Sequence, residues 1–120
     1  MLKGLGCDMI EVERIRQALS RPSFLRRVYT LEERAAIARK GAQTAAGFWA
    51  AKEAVSKALG TGFGPLAPAD VEITHDASGA PAYLINEKTR SALQARGAQS
   101  AFLSVTHDGD YAMATVILEG

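Results

Sequence analysis

Residues 49–57 read Trp49-Ala50-Ala51-Lys52-Glu53-Ala54-Val55-Ser56-Lys57, and Gly60-Thr61-Gly62 follows directly. On a helix turning about 100° per residue, Phe48, Ala51, Val55 and Leu59 form one apolar stripe. That stripe demands a covering surface, so the chain is expected to build its core around this segment. Glu53 and Lys57 fall on the opposite face, one turn apart. A carboxylate and an amine projecting side by side from an anchored helix are suited to holding a metal ion and a phosphate together. The same spacing also describes an ordinary surface pair worth roughly 0.2–0.5 kcal/mol. The helix alone does not separate the two readings.

The remaining elements follow from local signals. Residues 2–10 alternate loosely and are expected to form a strand with Leu2, Gly4, Gly6, Asp8 and Ile10 on one face. Asp is disfavoured within strands, so Asp8 calls for a reason, either a bound cation or an exposed strand end. Helical character runs from Glu13 to about Ser20 and breaks at Arg21-Pro22-Ser23. A short turn follows from Phe24 to Val28. Thr30-Leu31-Glu32-Glu33 is a capping box that starts a helix reaching Lys40, with Gly41 ending it. The central helix is predicted from about Thr44 to Leu59.

Gly60 to Ala69 is a loop rich in Gly and Pro. It either brings backbone N–H groups to a phosphate or simply connects. Asp70–His75 and Pro81–Ile85 read as a hairpin. Asn86 caps a helix to about Arg96. Ala101–Thr106 and Tyr111–Leu118 form a second hairpin, whose nearly all-apolar last strand belongs in the middle of a sheet. The fold class is therefore α+β: a single compact domain over residues 1–120, with an antiparallel sheet packed on a long central helix.

The 120 residues are 48% hydrophobic and 22% charged, ordinary for a water-soluble domain. No apolar stretch reaches membrane-spanning length, and no secretion signal is expected at the N-terminus. The lone Cys7 fits a reducing, cytoplasmic setting and is expected to be a buried structural thiol. Between residues 13 and 40 lie eight basic and three acidic groups, a net +5 that leaves −4 for the rest of a chain carrying +1. Such a patch suits an acidic partner, or is a solvated helix face. Aromatic residues do not interleave with these arginines beyond Phe24 and Tyr29, which argues against a single-stranded nucleic-acid platform.

Thr74-His75-Asp76 and Thr106-His107-Asp108 look alike. Neighbouring side chains on a strand point to opposite faces, so neither is a hydrolase dyad. One Cys and two His offer no zinc spacing. His75 is read as structural or exposed.

Three segments carry a resemblance: Gly4-Leu5-Gly6-Cys7-Asp8-Met9-Ile10-Glu11, Lys52-Glu53-x-x-x-Lys57, and Ser104-Val105-Thr106-His107-Asp108 followed by Tyr111-Ala112-Met113-Ala114. Phe24-Leu25-x-Arg27-Val28-x-Thr30-x-x-Glu33 adds a fourth. In this order, over nearly the whole chain, they resemble the holo-acyl-carrier-protein synthases, small members of the 4′-phosphopantetheinyl transferase superfamily. The resemblance implies a trimer that transfers 4′-phosphopantetheine from coenzyme A to a serine of an acidic apo acyl carrier protein. The other product is adenosine 3′,5′-bisphosphate.

It implies Asp8 and Glu53 as Mg²⁺ ligands and Lys57 beside the phosphates. It also implies His107 near coenzyme A, as a phosphate contact or a base. Gly60, Thr61 and Gly62 would lie on the cofactor side. Arg14 matches a docking position for the carrier; Arg16, Arg21, Arg26 and Arg27 are added by charge. Thr106 stands where the family usually has Ser. Phe48 stands where many relatives carry a phosphate-binding Arg, so that contact is either lost harmlessly or moved to Arg39 and Lys40. Two other readings remain open, a polyanion-binding module using the arginines and a non-catalytic trimeric scaffold. Neither nucleic acid nor membrane is an expected partner.

Overall fold

Two glycines in the first strand decide how the layers of this molecule meet. A computed structural model describes residues 1–120. In it β1 (Leu2–Glu11) is followed by α1 (Val12–Ala18), α2 (Pro22–Val28), α3 (Leu31–Lys40) and the long α4 (Ala42–Leu59). A 3-10 turn (Pro68–Asp70), β2 (Glu72–His75), β3 (Pro81–Leu84), α5 (Glu87–Ala95), β4 (Ser100–Asp108) and β5 (Tyr111–Glu119) complete the chain. The strands β1-β5-β4 make one antiparallel sheet, and β2 and β3 make a separate hairpin.

A methyl group at Gly6 would stand 1.9 Å from the Ala54 carbonyl oxygen, and one at Gly4 would stand 2.4 Å from that of Ala58. Backbone therefore rests on backbone where β1 crosses α4, with Ala50, Ala51, Ala54 and Ala58 as the small buried residues of that helix. Two residues along a strand advance about 6.6 Å and four residues along a helix about 6 Å. The contacts thus march together from Gly4 at Ala58 to Gly6 at Ala54.

The expected stripe of Phe48, Ala51, Val55 and Leu59 is buried, but burial extends well beyond it to Ala45, Ala46, Gly47 and Ser56. The sheet covers one side of α4, while α1, α3 and β2 cover others. Lys52, in the middle of the helix, is fully buried. Its ammonium pairs with Glu33 Oε1 at 2.8 Å and donates to the carbonyls of Pro68, at 2.9 Å, and Val71. Glu33 Oε1 also accepts from Thr30 N–H at 2.9 Å, and its Oε2 accepts from Ile73 N–H at 2.8 Å. Burying charge is tolerable only when paired and fully hydrogen-bonded, and here every buried polar side-chain atom has a partner. Desolvation draws the Lys52 ammonium below its ordinary range, against the pull of Glu33. The pair ties α3, α4, the 3-10 turn and β2 together.

The predicted capping box at Thr30 is present, and Asn86 caps α5 as expected, in a box with Thr89. Gly60 ends α4 in the left-handed region at φ 78°. The apolar last strand, β5, lies between β1 and β4 as expected. Cys7 corrects its expectation: it is exposed, not buried. The sheet carries a helix on one face only, and odd-numbered residues of β1 point away from it. Leu5, Cys7 and Met9 share this outer face with Phe102, Met113 and Ile117, and Leu5 is 68% exposed. No helix is long and apolar enough to cross a membrane.

Candidate active site

Asp8 shares its strand face with Gly4 and Gly6. The close crossing that these glycines permit brings it against α4. Its Oδ1 lies 3.0 Å from Lys57 Nζ, and the same ammonium donates to the Cys7 carbonyl at 3.0 Å. Lys57 therefore reaches across to β1 instead of forming an ordinary pair with Glu53. Asp8 is largely shielded, its side chain 16% exposed. Glu53 is half-buried beside it. Burial first, and then the negative charge of Asp8, hold the Glu53 carboxyl above the usual range, while Lys57 opposes the shift.

A carboxyl held protonated more readily by burial and by a second carboxylate at its side is a charge arrangement that a cation relieves. No third His, Cys, Asp or Glu joins them. The set fits a hard divalent ion such as Mg²⁺, which keeps several waters and takes further oxygens from phosphate. It does not fit zinc, which asks for nitrogen or sulfur ligands and a closed tetrahedron.

A cleft of about 440 Å³ is lined by neighbours of this cluster in sequence, though by none of its three residues. Ile10, two residues beyond Asp8, and Trp49, one turn before Glu53, form part of its wall, and Arg14, Arg21 and Phe24 line it too. The Phe24 and Trp49 rings lie 5.8 Å apart, and the Arg21 guanidinium sits 5.8 Å from the Phe24 ring centre. Arg16 is exposed but paired with Glu13. Arg26 and Arg27 are exposed in the last turn of α2. The basic segment thus contributes Arg14 and Arg21 to a cleft whose wall also holds Ile10 of β1 and Trp49 of α4.

The other expected site residues lie elsewhere. Gly60 N–H bonds to Lys57 O, and Gly62 N–H bonds to Ser56 O at 3.2 Å. Both amides close the end of α4, so they are not free to cradle a phosphate. Thr61 lines a separate cleft of about 500 Å³ between the loop and α5. His107 is on β4, across β5 from Asp8 on β1, so about 10 Å of sheet separates them. Its Nε2–H donates to the Gln43 carbonyl at 2.8 Å. His107 and Lys40 line a cleft of about 170 Å³. Arg39 lines a neighbouring one with Glu32 and Glu72. Within one chain, then, Asp8, Glu53 and Lys57 come together, and His107 and Lys40 come together, at opposite edges of the sheet.

Sequence reasoning missed the Lys52–Glu33 pair. The available signal was a lysine set among alanines on a helix that has apolar residues on more than one side. His75, read as structural or exposed, is exposed, and it lines the cleft of Lys40 and His107.

Known proteins resemble this chain over its whole length. The family model described as the 4′-phosphopantetheinyl transferase superfamily matches residues 4–116. The holo-[acyl-carrier-protein] synthase of Solidesulfovibrio magneticus is 44% identical over the full length of both chains. The crystal structure of the Neisseria meningitidis holo-[acyl-carrier-protein] synthase superposes with a TM-score of 0.91 at 30% identity, covering 100% of each chain. That of the Bacillus anthracis synthase, in complex with CoA (3′,5′-ADP), superposes with a TM-score of 0.84 at 34% identity, covering 100% of this chain and 98% of the other.

Proposed function

The chain belongs to the 4′-phosphopantetheinyl transferase superfamily as a holo-acyl-carrier-protein synthase, and on that premise we propose how its site performs the transfer. The donor is coenzyme A and the acceptor a serine hydroxyl of the apo carrier. The serine oxygen bonds to the phosphorus that bears pantetheine. The pyrophosphate P–O bond breaks, adenosine 3′,5′-bisphosphate leaves, and the serine proton is released. The observation that carries this reading is the Asp8–Glu53–Lys57 cluster.

Asp8 and Glu53 would hold Mg²⁺ against the pyrophosphate. The bound ion would supply neutralisation of the charge that builds on the phosphate oxygens. Lys57 already lies 3.0 Å from Asp8, and its flexible stem lets the ammonium follow charge onto the departing phosphate. Lys57 engages Asp8 through Oδ1, which leaves Oδ2 to bind the ion or to take the serine proton. A role for His107 in the chemistry requires a neighbouring copy, since β5 stands between it and Asp8.

The Arg14–Arg21 cleft supports docking of an acidic carrier, with Arg26 and Arg27 extending the surface and Arg16 largely neutralised by Glu13. The apolar outer face of β1-β5-β4 supports assembly into a trimer. Soluble proteins rarely leave a contiguous patch of this kind uncovered. A trimer also lets one donor molecule touch Asp8 of one copy and His107 of the next. Cys7, a free thiol, is consistent with a cytoplasmic setting. The test is to incubate the protein with Mg²⁺, coenzyme A and an apo carrier and to weigh the carrier. A carrier of unchanged mass refutes the reading.

A further inference from the structure

Helix α4 meets β1 through its smallest residues, Gly4 against Ala58 and Gly6 against Ala54. Such a contact sets how far apart strand and helix stand. It offers only shallow ridges, and so little resistance to rotation of the helix about its own axis. Directional contacts reach α4 from other elements. The buried Tyr83 of β3 donates its hydroxyl to the Ala51 carbonyl at 2.6 Å. The Lys52 ammonium meets Glu33 Oε1 and the carbonyls of Pro68 and Val71, three acceptors for its three hydrogens. Glu33 is fixed in turn by the Thr30 and Ile73 amides. The Ser56 hydroxyl donates to the Glu53 carbonyl at 2.7 Å. The backbone at 51, the side chain at 52 and the backbone at 53 are thus held within one turn. A buried ion pair is a poor source of stability, since apolar residues of similar volume often serve as well or better. What it supplies and apolar packing lacks is direction.

We propose that Lys52 and Tyr83 are positioning residues for the transferase site, fixing the rotation of α4 that aims Glu53 at Asp8. This deepens the transferase reading above and rests on it. Side-chain tips lie about 5–6 Å from a helix axis, so a rotation of about 10° carries the Glu53 carboxylate about 1 Å. Mg²⁺ demands near-ideal geometry at about 2.0–2.1 Å, so an error of that size weakens an ion shared between Asp8 and Glu53. The same misplacement can cost about a hundredfold in rate. Lys52 and Tyr83 are both buried, and they act through Glu53 without touching substrate.

Calorimetric titration with Mg²⁺ on protein saturated with coenzyme A reads the positioning, and steady-state transfer to an apo carrier reads its consequence. Tyr83→Phe deletes one hydroxyl. Lys52→Met combined with Glu33→Gln removes both charges with little change of shape. Each is expected to weaken Mg²⁺ binding about tenfold and to lower kcat about tenfold, with the carrier's KM unchanged. Leu93→Ala is the control: it truncates the core that Tyr83 also lines but removes no hydrogen bond to α4. Its melting temperature should fall at least as far as that of Tyr83→Phe, while its Mg²⁺ affinity and kcat stay within about twofold of wild type. Unchanged Mg²⁺ affinity in Tyr83→Phe, or in the double variant where it folds, overturns the proposal. An equal loss of Mg²⁺ affinity in Leu93→Ala also overturns it, because bulk packing would then suffice. A wild-type protein that modifies no carrier overturns the transferase reading itself.

Discussion

Replacing Gly6 with Ala tests whether backbone contact between β1 and α4 builds the active site. The added methyl would stand 1.9 Å from the Ala54 carbonyl oxygen, and real Cβ atoms essentially never come within 3.0 Å. The strand and helix must therefore part by about 1.1 Å, the difference between those two distances. Overpacking of this kind costs about 1–3 kcal/mol, and more where the obstacle is backbone that cannot rotate away. For a chain of this length that is a fall in Tm of several degrees or more. The same displacement lengthens the 3.0 Å Lys57–Asp8 contact beyond hydrogen-bonding range. A shift of about 1 Å at a reacting centre can cost about a hundredfold in rate. Gly64→Ala is the matched control: its nearest obstacle is at 3.7 Å and its φ is not positive, so neither melt nor turnover should change. Thermal denaturation and carrier modification by mass would be measured on both variants. A Gly6→Ala protein with wild-type Tm and turnover would show that the crossing is not under steric control, and the argument for how Asp8 reaches α4 would fail.

Four further outcomes are expected. Glu53 is held more basic in the folded chain than in the unfolded one, so its contribution to stability is present at low pH and falls as pH rises through its titration. Glu53→Gln should therefore raise Tm at neutral pH without metal, abolish stabilisation by Mg²⁺, and lower turnover at least about tenfold; persistent Mg²⁺-dependent stabilisation would sink the ligand assignment. Lys52→Met strands a buried Glu33 carboxylate and should cost about 3–5 kcal/mol in urea denaturation, whereas pairing it with Glu33→Gln should cost less than the sum of the single changes; strict additivity would contradict the coupling. Arg14→Ala should raise the carrier's apparent KM and flatten its salt dependence without changing coenzyme A affinity, and a collapse of coenzyme A binding would move Arg14 into the donor site. Ile117→Lys on the outer sheet face should give monomers in sedimentation with reduced activity, and a fully active monomeric wild-type protein would refute the trimer.

What the sequence determined by itself is what short-range rules decide. The helix caps at Thr30 and Asn86, the stop at Gly60, the hairpins and the placement of Asp8 on the strand face of Gly4 and Gly6 all follow from steric and hydrogen-bonding preferences over three or four residues. The apolar β5 announced its central place because a strand paired on both edges has little use for polar side chains. The resemblance supplied the family, and with it the pairing of Asp8 with Glu53. Tertiary structure decided who meets whom. Lys57 could have paired with Glu53 four residues away, and only the close crossing of β1 sends it to Asp8, 49 positions distant. Lys52 is buried because α3 brings Glu33 to it, which no local pattern encodes. Cys7 is exposed because just one face of the sheet is covered by helix. His75 and His107 share a cleft because the β2–β3 hairpin packs beside β4. Each of these depends on the packing angle and separation of whole elements, which every contact in the core sets together and which no window of sequence contains.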